Sequence, residues 1–200
     1  DVIYVVWTDG RTLNSGCGGS GDYDIYYARN PGFPSANVTV ATQPTGLAVE
    51  VDGVSGKAPV TNTWILGSDH TVSVASTIPI NLGSRYNWTS WTDGGNRTHT
   101  INVTADVTIT ASFQKQYTAQ ATANPSGLTI LIDNVSHAST YSTWWDAGST
   151  HWIDAPSPQY TSTDVRYTWA SWNDSGTEAH AVIANAPKNL VAYYLQEQDL

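Results

Sequence analysis

Arg85-Tyr86-Asn87-Trp88-Thr89-Ser90-Trp91-Thr92-Asp93 returns as Arg166-Tyr167-Thr168-Trp169-Ala170-Ser171-Trp172-Asn173-Asp174, 81 residues further on. The echo extends well beyond these nine positions. At the same offset, and without a gap, Pro44–Phe113 matches Pro125–Tyr194. Asp52, Val54 and Ser55 fall on Asp133, Val135 and Ser136; Trp64, Gly67, Ser68 and His70 fall on Trp145, Gly148, Ser149 and His151; His99 falls on His180. Repetition at a fixed period sets the architecture. It also sorts the residues: those present in both copies serve the fold, and those present in one copy are free to serve something else.

No stretch carries a sustained helical period. Apolar residues alternate in short runs bounded by Gly, Pro, Asn and Asp, the pattern of half-buried strands. In the first copy the expected strands are Val38–Thr42, Leu47–Val51, Val60–Ile65, His70–Ser76, Tyr86–Trp91, Thr98–Val103 and Val107–Phe113. Asp52-Gly53 and Asp93-Gly94 are hairpin signals, and Pro44-Thr45-Gly46 is a tight turn. Short strands at that density predict an all-β chain of two tandem β-sandwiches of immunoglobulin or fibronectin type. The expected boundaries are residues 37–115 and 116–200, with residues 31–36 as a linker. Only Gln114-Lys115-Gln116 joins the copies. So short a junction predicts a stiff rod rather than two tumbling domains.

Residues 1–30 lie outside the repeat and predict an extra N-terminal β-hairpin. Val2-Ile3-Tyr4-Val5-Val6-Trp7 and Asp24-Ile25-Tyr26-Tyr27-Ala28-Arg29 are its strands, with a Gly-rich loop between them. A lone two-stranded hairpin is marginal in water. This one, with Val2, Tyr4, Val6, Ile25 and Tyr27 along its strands, is expected to complete a sheet elsewhere, in a neighbouring molecule or a propeller blade. Asp9, Asp22 and Asp24 bracket the loop. Three carboxylates with backbone carbonyls suit Ca²⁺, and turn-forming Asp is the plainer reading; no cofactor or metal is assigned.

Charged residues are 12% of the chain, Lys and Arg total 8, and the net charge is −9. That balance excludes a basic face for nucleic acid and attraction to an anionic membrane surface. No stretch is apolar and long enough to insert in a bilayer. Ser and Thr make up 45 of the 200 residues, so the surface is hydroxyl-rich. One Cys (Cys17) permits no internal disulfide, and Met is absent. Such a composition suits an oxidising setting, extracellular or at the cell surface. Asp1 runs straight into an apolar strand, as a processed product or a fragment begins.

Six Asn-x-Ser/Thr acceptors, Asn37, Asn87, Asn96, Asn102, Asn134 and Asn173, make attached glycan an expectation. Strand alternation around Asn87 would put Tyr86, Trp88 and Ser90 on one face and Asn87 on the other. Trp88, Trp91, Trp169 and Trp172 are duplicated, which assigns them to the core. Trp144 and Trp152 replace Thr63 and Thr71 of the first copy and are the candidates for exposed, ligand-stacking aromatics. His70, His99, His151 and His180 each stand alone in the local sequence and predict structural hydrogen bonds, such as one from His99 to the Asp93 turn, rather than metal ligation. No Gly-x-Ser-x-Gly elbow supports a hydrolase triad. Glu occurs only at 50, 178 and 197, too little for paired-carboxylate glycosidase chemistry. No catalytic residue is assigned.

The run Val5-Val6-Trp7-Thr8-Asp9-Gly10-Arg11, followed by Asp24–Arg29, resembles the last blade of a sialidase-like β-propeller over about 30 residues. It lacks a Ser-x-Asp-x-Gly-x-x-Trp box, an arginine cluster and a Tyr–Glu nucleophile pair, so sialidase activity does not carry over. The repeat itself, through Pro44-x-Gly46-Leu47-x-Val49-x-Val51-Asp52-Gly53, Trp64-x-x-Gly67-Ser68-x-His70 and Trp88-x-Ser90-Trp91-x-Asp93-Gly94-Gly95, resembles immunoglobulin-like modules trailing large secreted or surface proteins of bacteria and archaea. That resemblance spans about 160 residues and is specific for the module, not for a function. The expected function is a non-catalytic extracellular structural protein: glycosylated sandwich repeats that form a homo-oligomer or filament by strand addition of the hairpin. The alternative is a C-terminal spacer or carbohydrate-binding module pair of a larger secreted propeller enzyme. Glycans, attached or bound, are the expected partners.

Overall fold

The structure, a computed structural model, describes residues 32–138, 140–162 and 165–198. The chain divides into two units, Asp1–Gly32 and Phe33–Leu200, and the second holds both repeats. The expected assembly hairpin (Val2, Tyr4, Val6, Ile25, Tyr27), the propeller-blade resemblance and the Asp9, Asp22 and Asp24 cluster lie outside the described residues.

The described residues are all-β and form two sandwiches. The first repeat contains β1 (Ser35–Gln43), β2 (Ala48–Val51), β3 (Val54–Lys57), β4 (Val60–Ile65), β5 (Asp69–Ser73), β6 (Thr77–Asn81), β7 (Ser84–Trp91), β8 (Thr98–Asn102) and the start of β9 (Val107–Asn124). The second continues from β9 through β10 (Thr129–Ile132), β11 (Val135–Ala138), β12 (Thr140–Asp146), β13 (Thr150–Asp154), β14 (Gln159–Ser162), β15 (Val165–Trp172), β16 (Ala179–Ile183) and β17 (Lys188–Gln198). In each repeat a four-stranded sheet, β3-β2-β5-β8 or β11-β10-β13-β16, faces a larger one. The first core joins Val49, Val51 and Val72 of the small sheet to Val40, Trp91, Ile109, Ala111 and Phe113 of the large sheet. The second joins Ile130, Ile132, Ile153 and Val182 to Ala119, Ala121, Trp145, Trp172 and Leu190.

β9 replaces the expected junction. It runs for 18 residues without a break. Its first half pairs antiparallel with β7 and parallel with β1; its second half pairs antiparallel with β12 and parallel with β17. The large sheets of the two repeats are thereby one nine-stranded sheet. The physical reason is in the sequence. Between Val107 and Ala123 no Gly, Pro, Asn or Asp interrupts the chain, so nothing ends the strand at Gln114-Lys115-Gln116.

Two strands per repeat escaped the periodicity. In the first copy these are β3 and β6, sheet edges whose residues are mostly exposed, with one partly buried position each. A single inward position, such as Ile78 of β6, gives no alternation to read. Pro79 is tolerated in β6 because an edge strand needs hydrogen bonds on one side only.

The duplicated Trp-x-x-Trp holds a second departure. Strict alternation would send Trp88 and Trp91 to opposite faces. Instead the β7–β9 register shifts between Trp88 and Ser90, so Thr89 and Ser90 together span a single step of the partner strand. Trp88 and Trp91 both reach the same core, and Ser90, expected to share the face of Tyr86 and Trp88, is exposed. β15 repeats the shift between Trp169 and Ser171. The turns follow their sequence signals. Asp52 and Gly53 have φ of 49° and 79°, and Asp133 and Asn134 have 51° and 63°, the left-handed pair of a two-residue hairpin.

Candidate functional site

Residues common to both copies build a frame around two histidines per repeat. His70 Nδ1 lies 2.7 Å from Asp52 Oδ2, and His70 Nε2 lies 2.9 Å from Ser68 Oγ. The ring stacks on Trp64 with centroids 3.7 Å apart. In the second copy His151 contacts Asp133 at 2.7 Å and Ser149 at 2.8 Å and stacks on Trp145 at 4.0 Å. Asp52 also accepts the Thr71 N–H at 2.8 Å, so the trio ties the β2–β3 turn to β5 and the preceding loop.

Ser–His–Asp in this contact order is the arrangement of a hydrolase. The surroundings give it a structural task instead. Ser68 Oγ also lies 2.7 Å from the Ile65 carbonyl, an acceptor, and therefore donates its hydroxyl proton there. The N–H groups of the loop at Ser68 are committed: Gly67 donates to the Val103 carbonyl and Ser68 to the Ile65 carbonyl. Neither is left for a developing oxyanion. His70 lies flat on the Trp64 ring, with 18% of its side chain exposed.

The second histidine closes the β7–β8 loop. His99 Nδ1 lies 2.7 Å from the Asn96 carbonyl, and Nε2 lies 2.8 Å from Asp93 Oδ2, the bond expected from the sequence. The ring meets Trp91 edge-on at 5.5 Å. It packs so closely on the backbone that a Cβ at Gly95 would collide with it. His180, Asp174, Thr177, Trp172 and Gly176 repeat the arrangement.

The four aspartates of these frames, Asp52, Asp93, Asp133 and Asp174, all hold their carboxyls below the usual value. At Asp52 the His70 hydrogen bond is the leading cause. At Asp93, Asp133 and Asp174 burial pushes the carboxyl up, and hydrogen bonds from the histidine and from backbone N–H groups outweigh it. Among the described residues no group of three or more His, Cys, Asp or Glu converges to hold a metal ion.

The two unmatched tryptophans have different fates. Trp144 on β12 is half-buried, with the guanidinium of Arg85 from the first repeat 4.2 Å from its ring centre. That overturns the expectation of an exposed aromatic: the ring is engaged by the neighbouring repeat. Around it Arg85 Nε donates to Gln116 Oε1 at 2.8 Å, and Gln116 Nε2 donates to Asp146 Oδ1 at 2.8 Å. The Ala147 N–H bonds the Lys115 carbonyl, and the Thr118 N–H bonds the Gly83 carbonyl. A Cβ at Gly83 would come within 2.5 Å of the Pro187 ring. Sequence reasoning missed this contact, because Arg85 is duplicated as Arg166 and reads as scaffold. Trp152 on β13 is the exposed one, at 49%.

The acceptor asparagines also divide. Asn96 sits on the β7–β8 loop and Asn134 on the β10–β11 turn, both exposed. Asn37 is exposed on β1, with its Oδ1 accepting from Thr63. Asn87 is half-buried, its Nδ2 3.4 Å from the Trp88 carbonyl. Asn102 spends both amide hydrogens, on the Gly67 carbonyl and Asp69 Oδ1. Asn173 bridges to β17, donating to the Asn189 carbonyl at 2.8 Å and accepting the Val191 N–H at 2.9 Å.

The chain matches no family model and no curated protein. Among solved structures it is similar to the streptococcal high identity repeats in tandem (SHIRT) domains 3-4 from a cell surface protein. That alignment covers 82% of this chain and 99% of the other, at 14% identity and a TM-score of 0.26. The likeness is low in both sequence and superposition.

Proposed function

We propose that this chain is a non-catalytic structural protein of the extracellular space or cell surface, whose sandwich repeats hold a fixed spacing. One observation carries the reading: β9 is a single strand of both sandwiches, so the repeats are joined by sheet rather than by linker. Bending at the junction has to break ladder hydrogen bonds on both sides of β9, together with the Arg85–Trp144 and Gln116–Asp146 contacts. The few charges and the hydroxyl-rich surface suit that setting. Glycan on the exposed acceptors Asn37, Asn96 and Asn134, and filament growth by strand addition of the residue 1–30 segment, complete the proposal.

Small-angle scattering tests the spacing. The wild type is expected to give one narrow inter-repeat distance, and four Gly-Ser residues inserted after Gln116 should broaden it. An equally broad distribution in both chains overturns the reading. Electron microscopy tests assembly. Filaments that vanish on deletion of Asp1–Asn30 support strand addition, and filaments that persist overturn it. Intact mass before and after deglycosylation tests the glycan.

A further inference from the structure

The small sheets of the two repeats correspond strand for strand, so their outward faces compare residue by residue. In the first repeat, Thr71 of β5 opposes Thr100 of β8, and Asp69 opposes Asn102. Glu50 on β2 completes a polar surface, on which Asn102 hydrogen-bonds Asp69. In the second repeat, Trp152 of β13 opposes Ala181 of β16, and Thr150 opposes Ile183. Leu131 on β10 stands where Glu50 stood. Four polar residues have become Leu131, Trp152, Ala181 and Ile183.

The inward face does not call for the change. Val51, Val72 and Ile101 become Ile132, Ile153 and Val182, apolar for apolar. The substitutions lie on the solvent side, where Trp152 is 49% and Ile183 55% exposed. Water selects against a cluster of exposed apolar groups unless something covers it.

Size and chemistry select the occupant. Four strands about 4.8 Å apart and four or five residues long, rising about 3.3 Å per residue, give a face of roughly 300 Å². A stable protein–protein contact takes about 800 Å² from each partner, so the patch is too small for a second copy and fits a small flat ligand. Among the described residues the Trp152 ring makes no ring contact, and the small Ala181 stands beside it. Thr150 and Asp154 lie two residues away on either side along β13, about 7 Å each. Among the described residues neither side chain makes a hydrogen bond or ion pair. An apolar plate flanked by a free hydroxyl and a free carboxylate matches a ring with a C–H face and hydroxyls at its rim. The carboxylate and the net charge of −9 disfavour an anionic ligand.

We propose that the outer face of β10, β13 and β16 binds uncharged polysaccharide, one pyranose ring stacking on Trp152 with its hydroxyls reaching Thr150 and Asp154. This goes beyond the structural reading and does not depend on filament formation.

The test uses the full chain made in a host that adds no glycan. Neutral hexasaccharides of β-1,4-glucose, α-1,4-glucose and β-1,4-N-acetylglucosamine are titrated while tryptophan fluorescence and heat are followed. At least one is expected to bind with Kd below about 1 mM. Trp152→Thr, which installs the residue found at position 71, should weaken that binding at least tenfold with an unchanged unfolding midpoint. Asp154→Ala should weaken it less. No binding of any probe by the wild type overturns the proposal, as does undiminished binding by Trp152→Thr. A change in sedimentation on Trp152→Thr would assign the face to self-association and overturn it equally.

Discussion

The guanidinium of Arg85 lies 4.2 Å from the ring centre of Trp144, and the two residues belong to different repeats. Position 63, the counterpart of Trp144, is Thr, so the contact belongs to this junction and not to the repeated scaffold. A cation over an indole face contributes about 0.5–1 kcal/mol at a partly exposed site. Arg85→Ala and Trp144→Ala are each expected to lower stability, with a coupling of that size in the double-mutant cycle. Chemical denaturation of the four proteins measures it. Strict additivity would mean that the contact couples nothing. A further consequence concerns cooperativity: Trp144→Ala should separate the unfolding of the two repeats in calorimetry.

Gly95 and Gly176 are required by the rings of His99 and His180, which a Cβ at either position would strike. Gly95→Ala is therefore expected to cost about 1–3 kcal/mol, the range for forcing extra volume into a packed site. His99→Ala in the same chain removes the clash, so the double variant should be no less stable than His99→Ala alone. Urea midpoints of the three variants decide this. If Gly95→Ala is as harmful without the ring as with it, the clash is not the reason for the glycine.

Acid should weaken the protein through the histidine frames. Asp52, Asp93, Asp133 and Asp174 have folded-state values below the ordinary 3.8. A carboxyl so lowered binds its proton less readily folded than unfolded. Its stabilisation is complete above about pH 4 and is lost as the pH falls through the folded values below 3.8. Thermal midpoints between pH 2 and pH 6 are expected to drop on the acid side. Asp93→Asn with Asp174→Asn should start lower near pH 6 and fall less steeply below pH 4. Parallel curves for the two proteins would place the acid sensitivity elsewhere.

The register shift in β7 makes an unusual deletion tolerable. Thr89 is the added residue between Trp88 and Ser90, so removing it restores plain alternation and keeps both Trp88 and Trp91 inward. The deletion forfeits the hydrogen bond from Thr89 Oγ1 to the Ser112 carbonyl. It should cost about 1 kcal/mol and leave the β spectrum intact. Deleting Asn87, two residues earlier, turns Tyr86 and the residues before it to the opposite face and should unfold the first repeat. Circular dichroism and near-ultraviolet tryptophan signals separate the two outcomes.

Much of the fold was legible because its signals are local. Alternation along β1, where Ala36, Val38, Val40 and Thr42 are buried in turn, marks a strand from its own residues. The hairpin at Asp52-Gly53 is written in two residues that accept positive φ. The candidate site was legible only in part. Trp144 and Trp152 look alike as sequence, each an aromatic standing where the other copy has Thr. Which ring lies under Arg85 and which meets water depends on a residue 59 positions earlier in the chain, in the other repeat.

The amino-acid sequence by itself determined two copies of one all-β unit, their core tryptophans and histidines, and the turns that punctuate them. Those follow from period, propensity and backbone conformation, each set within a few residues. Tertiary structure alone decided that the copies share β9 and that Trp-x-x-Trp points one way through a bulge. It also decided that the Ser–His–Asp trios brace turns and that one unmatched tryptophan seals a junction while the other stands open. Each of these rests on hydrogen bonds and packing between residues distant in the chain, which only the assembled sheets bring together.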